Sequence, residues 1–392
     1  MDEPADVITE ITWNDATQVV SINDGEIDLT EGDGVEDHYT ITDVDGDTAT
    51  LTISEYYLDE MAGLSSSGDF VELTISFDEG DDATFTITGV RDPEPVDQTT
   101  HNVNGVDFDM RLALAATFPT GTEDDGTATV DEDFWIAETQ VTYELWYEVR
   151  TWAEDNGYTF ENEGMEGSKT EGGTLPDYGS IGEPPTEARE EPVTMVSWYD
   201  SIVWCNALSE YMEYSPVYTI DGEDITSSAE IDHTDVMAED RNGFRLPTSD
   251  EWELAARWRG TDTTNTVQEV INEINFAVPT DGIYWTKGNS ASGATADHDN
   301  VVATQDVAWY VGYSDGKTQP VGLKTANALG LYDMSGNVWE LCFTFDGSNP
   351  VIRGGRYSYE ASYLRVGFVY SDDLYTPSFT NIGLGFRPVR AP

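Results

Sequence analysis

The hydrophobic pattern of this 392-residue chain changes character near residue 100, and the change predicts two domains of different fold class. Before residue 100, apolar and polar residues alternate with period two in short runs rich in Thr and Ile, separated by Asp/Gly turns. This pattern predicts a small antiparallel all-β domain over residues 1–95, and we expect it to be immunoglobulin-like. The predicted strands are 38–42, 48–53, 71–76 and 83–88.

Two features refine this first part. The run Asp43–Asp47 joins two of the predicted strands, either as an Asp-Gly hairpin turn or as three alternate carboxylates that hold a hard cation. Residues 91–104 contain two prolines and no hydrophobic period, so they mark a domain boundary. We assign a linker to 96–104 and a second domain to 105–392.

The second domain is predicted to be α+β, with three capped helices. Each helix begins after a hydroxyl N-cap, and the second and third carry an acidic residue three positions later, as in a capping box. The N-caps are Thr142, Ser197 and Thr248, and the acids are Asp200 and Glu251. Residues 157–192 and 213–242 are predicted as long surface insertions, and the chain after residue 300 as loops and brief strands.

The charge excludes several classes of function. With 77 acidic and 17 basic residues the net charge is −60, so the basic surface that nucleic-acid binding requires is absent. Anionic membrane surfaces are disfavoured for the same reason. An acidic, Lys-poor surface suits a saline or extracellular setting, although it also serves solubility alone. No apolar run reaches the roughly 18 residues of a membrane span, and we expect a secreted or cell-surface protein whose signal or anchor is not present here.

Six motifs beyond residue 105 occur in one order. Together they resemble the formylglycine-generating-enzyme/sulfatase-modifying-factor family, which implies a C-type-lectin-like fold over residues 105–392. The motifs are FWIAETQVT (134–142), PVTMVSW (192–198), GFRLPTSDEW (243–252), GLYDMSGNVWE (330–340), RGG (353–355) and GFR (385–387).

The chemistry of that family is not expected here. Its enzymes use a copper-binding cysteine pair, and the matching positions are Tyr359 and Leu364, which cannot form a thiolate. Cys205 and Cys342 lie elsewhere and are predicted to be buried packing thiols. The four histidines have no i+3 or i+4 partner, which disfavours a histidine-ligated iron. We therefore expect no catalytic residue; the alternative is a family enzyme with displaced catalytic residues.

Residues 356–381 are predicted to form a binding segment. Tyrosine supplies 5 of the 25 residues from 357 to 381, against 20 of 392 overall, and it is interleaved with Ser and Asp as in antibody-like binding surfaces. The composition and position resemble the variable proteins of diversity-generating retroelements, which display a diversified segment that binds a protein or other surface ligand; the alternative is a non-diversified binding module. The expected ligand-binding residues are Tyr357, Ser358, Tyr359, Glu360, Ser362, Tyr363, Phe368, Tyr370, Ser371, Asp372, Asp373, Tyr375, Ser378, Phe379 and Asn381.

Exposure is the first test of that prediction. We expect Tyr359, Tyr363, Tyr370 and Tyr375 to be substantially exposed and clustered. Trp252, Trp339 and Phe386 are expected to be buried, because their motifs serve packing.

The resemblance also implies a structural Ca²⁺ ion, although no cofactor is expected to be required. Its ligands would be the side chains of Asp333 and Glu340 and the backbone carbonyls of Gly336 and Val338, a set of hard oxygen donors. The alternative is a loop held by internal hydrogen bonds alone.

Overall fold

The computed structural model divides the chain into two compact units, the larger of which comprises residues 96–271 and 285–392. In the first ninety residues the structure describes the backbone of seven strands. Beyond them it describes 98–168, 181–229, 231–260, 262, 264–267, 284–371 and 373–392.

The strands of the N-terminal unit form two antiparallel sheets. The first has three strands, β1 (Ile11–Asn14), β2 (Val19–Ile22) and β3 (Gly25–Asp28). The second has four, β4 (Tyr39–Asp45), β5 (Thr48–Ile53), β6 (Phe70–Phe77) and β7 (Ala83–Val90), each paired with the next. The four strands predicted from alternation are confirmed. The Asp43–Asp47 run begins within β4, which contains Asp43 to Asp45, and its side chains are outside the described residues.

A five-stranded antiparallel sheet opens the larger unit. Its strands are β8 (Gln98–Val103), β9 (Val106–Ala113), β12 (Phe134–Ala137), β18 (Phe244–Arg245) and β24 (Val389–Arg390), in the spatial order β18-β24-β12-β9-β8. The linker prediction for 96–104 was wrong over 98–103. The two residues of this edge strand that face inward, His101 and Val103, are buried, whereas its outward polar residues resemble a linker in sequence.

The described residues of the larger unit contain four α-helices: α1 (Tyr143–Asp155), α2 (Trp198–Tyr211), α3 (Ser249–Arg257) and α4 (Val301–Val307). The predicted caps are confirmed, because Thr142 accepts from the N–H of Leu145 and both capping boxes are complete. The sequence prediction missed α4, which has one buried face of Ala303, Thr304 and Val307 and an N-cap at Asn300. None of the helices in the described ranges is both long and apolar enough to cross a membrane.

The described parts of the predicted insertions, 157–168, 181–192, 213–229 and 231–242, contain short strands. Further short strands form pairs elsewhere beyond residue 115. These strands are β10 (Ala116–Thr120), β11 (Gly126–Val130), β13 (Met165–Glu166), β14 (Val193–Thr194), β15 (Tyr218–Ile220), β16 (Glu223–Asp224), β17 (Met237–Ala238), β19 (Trp258–Gly260) and β20 (Tyr284–Trp285).

A three-stranded sheet positions the C-terminal segment. It consists of β21 (Trp339–Asp346), β22 (Asn349–Arg353) and β23 (Leu384–Gly385), with β23 parallel to β21. Residues 354–383 therefore leave this sheet at the end of β22 and return to it at β23. A bulge between Leu341 and Phe345 shifts the β21–β22 register.

The core is aromatic. Trp146 stacks on Trp204 at 6.1 Å between ring centroids, and both rings meet the edge of Phe386. The prediction that Trp252, Trp339 and Phe386 are buried is confirmed, since each is 0% exposed.

One buried acid predicts a pH dependence. Glu191 is almost fully buried, accepts a hydrogen bond from the Thr318 hydroxyl and has the Lys317 ammonium at 3.8 Å. Burial raises the pKa of Glu191 from 4.5 to about 7, because the charged carboxylate loses its hydration. Between these values the folded chain binds a proton that the unfolded chain does not, so this group's contribution to stability falls as the pH rises.

Replacing Glu191 with Gln is therefore expected to raise the free energy of unfolding at pH 8 by up to roughly 3 kcal/mol, and to change it little at pH 4.5. Denaturant titrations at the two pH values measure this difference. The exposed neighbour substituted in the same way, Glu190→Gln, serves as the control. An equal effect at both pH values would contradict the assignment.

Candidate functional site

Residues 356–381 begin at a tight double-glycine turn after β22. Gly354 and Gly355 have φ values of +89° and +79°, which residues with a side chain rarely adopt. A Cβ atom on Gly355 would also lie 2.5 Å from the side chain of Leu364 and 2.9 Å from the carbonyl of Tyr363. The turn thus requires glycine for both conformation and space, and it folds the following segment back against the domain.

Arg353, the residue before this turn, fixes the middle of the segment. Its buried guanidinium pairs with Glu253 at 2.7 Å and donates to the backbone carbonyls of Val366 and Phe368 at 3.3 and 3.1 Å. Residue 370 then pairs with Ile352 through two backbone hydrogen bonds of 3.1 and 3.2 Å. The scaffold therefore holds the middle of the segment through its backbone.

The side chains of the segment form a continuous chain of aromatic rings over Trp339. Tyr370 stacks on Trp339 at 5.2 Å, and Tyr359 meets the same ring edge-on at 5.8 Å. Tyr363 lies 4.9 Å from Tyr359 and 5.4 Å from Phe368. We call the partly exposed members of this cluster the aromatic face: Tyr359, Tyr363, Phe368, Tyr370 and Phe379. The predicted clustering of the tyrosines is confirmed.

The prediction of substantial exposure was wrong for Tyr375 and too strong for the other three. Tyr375 is only 6% exposed, because its ring is enclosed between Tyr370 and Phe379 at 5.5 and 4.9 Å. Tyr359, Tyr363 and Tyr370 are partly buried, since one side of each ring packs on the core.

Two further residues that were predicted to bind the ligand instead stabilise the structure of the segment. Tyr357 is 0% exposed, because its backbone is fixed inward by bonds to the Asn337 carbonyl and the Ser314 hydroxyl. The side-chain oxygen of Asn381 accepts from Arg356 and from the N–H of Gly383, so it closes the segment.

The remaining predicted site residues surround the aromatic face or fall outside the structure's description. Glu360, Asp373 and Ser378 are exposed, whereas Ser358, Ser362 and Ser371 are partly exposed. Asp372 lies outside the described residues.

Sequence reasoning missed several apolar side chains at this surface. Leu374 and Val369 are 70% and 47% exposed, and each is a neighbour in sequence of a ring of the cluster. Val311 and Tyr313 are also exposed, and the N–H of Val311 donates to the carbonyl of Tyr359 at 3.0 Å, which brings this loop beside the aromatic face. Only the isolated Val-Gly-Tyr run marks that loop in the sequence, far from the predicted segment.

The surface around the aromatic face carries fewer positive charges than the number of arginines from residue 353 onward indicates. Arg353, Arg387 and Arg390 are buried, so the segment contributes Arg356 and Arg365 to this surface. Arg356 lies 4.5 Å above the ring of Tyr359, and Arg365 lies 5.4 Å from that of Phe368. An open polar depression lined by Asp346, Ser348, Asn349, Ser371 and Asp373 adjoins the segment. An aromatic centre with a polar rim is the usual anatomy of a recognition surface.

The thiols and metal-binding groups offer no redox centre at this site. Cys205 and Cys342, the only cysteines in the sequence, are both 0% exposed, and burial raises the pKa of each thiol. Within the described ranges, no group of three or more His, Cys, Asp or Glu side chains is placed to hold a metal ion. Tyr359 and Leu364, at the positions of the family's cysteine pair, belong to the aromatic face and to the core respectively.

The groups that the resemblance implies as calcium ligands, on the loop from Asp333 to Glu340, take part in hydrogen bonds within the chain. One carboxylate oxygen of Asp333 accepts from the N–H of Gly322 at 2.8 Å, and the carboxylate of Glu340 is held on both oxygens by Arg387 at 2.9 and 3.0 Å. The carbonyls of Gly336 and Val338 accept from the side-chain amide of Gln140. These groups are hydrogen-bonded within the chain, except Oδ1 of Asp333, which is buried and has no hydrogen-bond partner among the described residues. The calcium site itself stays a prediction.

Comparisons with known proteins agree with the fold and with the order of motifs. The family model described as sulfatase-modifying factor enzyme 1-like domain matches residues 93–392, and the model for carbohydrate binding domain X2 matches residues 1–87. The immunoglobulin-like character of the N-terminal unit stays a prediction.

Individual proteins are also similar to this chain. Treponema denticola variable protein 1 is 28% identical, with a TM-score of 0.53 and coverage of 75% of this chain and 99% of that one. The crystal structure of CarF is 26% identical, with a TM-score of 0.53 and coverage of 76% and 99%. Chaperone protein LppX of Paenibacillus barcinonensis is 32% identical over 216 residues, which are 54% of this chain and 62% of that protein, so the match spans less than two thirds of the relative. Over residues 93–392, with its C-type-lectin-like fold, the chain belongs to the sulfatase-modifying factor enzyme 1-like family.

Proposed function

We propose that this chain is a non-enzymatic binding protein whose aromatic face recognises a protein or another surface ligand. The observation that carries the proposal is the aromatic face itself, five partly exposed rings on a backbone that the scaffold fixes. Such rings bury a large area on binding and lose little conformational entropy, because they are already held in place. The absence of a cysteine pair at Tyr359 and Leu364 is consistent with loss of the family's oxidation chemistry.

The segment also suits diversification. Positions 358, 359, 360, 362, 363, 370, 371, 373 and 378 carry partly or fully exposed Tyr, Ser, Glu and Asp side chains, whereas the backbone contacts that fix the segment come from Arg353, Ile352 and Val311. Side chains at these positions can therefore change while the scaffold keeps its own contacts. The similarity to a protein named variable protein 1 supports this part of the proposal.

The proposed location is the outside of the cell, either secreted or at the surface. The match of residues 1–87 to a carbohydrate binding domain model supports an N-terminal unit that attaches the binding domain to a polysaccharide surface or spaces it from one. The high acidity suits an extracellular or saline medium. The Paenibacillus relative is named a chaperone protein, and a chaperone acts by binding other proteins.

The DNA around the gene tests the diversification. We expect a near-copy of the region encoding 356–381 that differs at adenines only, next to a reverse-transcriptase gene. A locus without that copy would overturn the hypothesis that the segment is diversified. The chain would then be a binding module with a fixed sequence.

A further inference from the structure

The side-chain amide of Gln140 lies at the centre of a cage of oxygen atoms. Its Nε2 atom is 3.1 Å from the carbonyl oxygen of Asp333, 3.2 Å from that of Gly336 and 3.1 Å from that of Val338. A fourth oxygen, Oε1 of Glu340, is 3.0 Å away. Gln140 is 1% exposed, so its amide is removed from bulk solvent. An amide has two N–H bonds, so each must be shared between acceptors, in the manner of a three-centre hydrogen bond.

The spacing of the cage fits a nitrogen donor and not calcium. Ca²⁺ binds oxygen at about 2.3–2.6 Å, so every oxygen would have to move inward by about 0.4–0.9 Å. Distances of 3.0–3.2 Å are ordinary for N–H···O bonds. The opposite orientation of the amide is excluded chemically, because its oxygen would then face four other acceptors.

The charge of the cage leads to the same conclusion. Its single carboxylate, Glu340, already pairs with the Arg387 guanidinium on both oxygens and accepts from the indole N–H of Trp252 at 2.7 Å. A divalent cation at the position of the amide would gain little from a neutralised carboxylate and would be repelled by the guanidinium. A neutral N–H donor meets the four oxygens without that repulsion.

We infer that the amide of Gln140 replaces the cation in this loop, so that the domain assembles without calcium. Gln140 follows β12, and its four acceptors lie on the loop that leads to β21 and on β21 itself. The amide therefore ties the first strand layer to the segment carrying Trp339, the ring beneath the aromatic face. Gln140 is a positioning residue for that surface, and it supplies within the chain the contact that a bound ion would otherwise make.

Thermal unfolding with calcium and with magnesium tests this inference on the whole protein. The acidic surface is expected to bind both ions weakly, so the two should shift the midpoint equally at the same concentration. A saturable increase specific to calcium, at submillimolar concentration, would overturn the inference, because an ion that binds only the folded state stabilises it.

A pair of isosteric substitutions tests the role of the N–H donors. Gln140→Glu places a carboxylate against four oxygens and is expected to lower the midpoint by several degrees at neutral pH. Gln319→Glu is the matched control, because the amide of Gln319 donates to one carbonyl, that of Ser314 at 2.8 Å. A smaller loss for Gln140→Glu than for Gln319→Glu would contradict the inference. If the Gln140 variant does not fold while the control does, that outcome counts as the expected loss.

Discussion

Replacing Glu340 with Ala is expected to lower the free energy of unfolding of the larger unit by about 3–5 kcal/mol, because it leaves a buried guanidinium without its counter-ion. Glu340 and Arg387 are both 0% exposed and are joined by two bonds of 2.9 and 3.0 Å. Arg387 also donates to the backbone carbonyls of Ala137, Glu138 and Tyr332, so it cannot turn to solvent without breaking three further bonds.

Denaturant unfolding followed by tryptophan fluorescence measures this loss. Ten of the 11 tryptophans lie beyond residue 96, so the signal reports on the larger unit. The control is Asp224→Ala, which breaks the solvent-accessible pair with Arg241 at 2.6 Å and is expected to cost less than about 1 kcal/mol. Equal losses of unfolding free energy for the two variants would contradict the expectation that the buried pair contributes more to stability than the exposed one.

Joint replacement of Tyr359, Tyr363 and Tyr370 with Ala is expected to weaken binding to the chain's natural partner at least about 100-fold, because clustered aromatic residues carry most of the energy of such interfaces. The same change will also cost stability, on the order of 1 kcal/mol per ring, since one side of each ring packs on the core. An array of surface proteins and glycans first identifies a ligand that the wild type binds. The dissociation constants of the wild type and the variant for that ligand then measure the loss.

Three other tyrosines separate loss of binding from loss of stability. Tyr147, Tyr211 and Tyr214 are also partly buried against the same core but lie outside residues 356–381. Their joint replacement with Ala is expected to cost similar stability and to leave binding unchanged. Equal loss of binding in both triple variants would mean that the effect arises from destabilisation and not from the aromatic face.

Much of the scaffold could be predicted because its signals are local. A hydroxyl at Ser197 or Thr248 with an acid three residues later is sufficient to place a helix start, and alternation of apolar residues places β5 and β6. Strand β8 and helix α4 were missed because their pattern is weak. Each buries only two or three side chains, and the partners that bury them come from distant parts of the chain.

The site shows the same division between local and distant information. The composition of 356–381 indicates a recognition segment, yet composition does not say which tyrosine faces inward. Tyr375 is enclosed by rings on both sides, and Tyr357 is turned inward by contacts with residues 314 and 337. Arg353 and Arg387 likewise serve the core, because their acidic partners, Glu253 and Glu340, lie elsewhere in the sequence. Gln140 had no sequence signal beyond its place in a packing motif.

The central claim is that the scaffold carries a binding surface whose side chains can vary, and a display experiment tests it directly. One library randomises positions on and around the aromatic face, namely 358, 359, 360, 362, 363, 370, 371, 373 and 378. A control library randomises an equal number of exposed or partly exposed positions on α1 and the residues that follow it, namely 144, 147, 148, 151, 152, 154, 155, 156 and 161. After selection against one unrelated folded protein, we expect folded, specific binders from the first library and few or none from the second. Equal yields from the two libraries, or loss of folding throughout the first, would contradict the account.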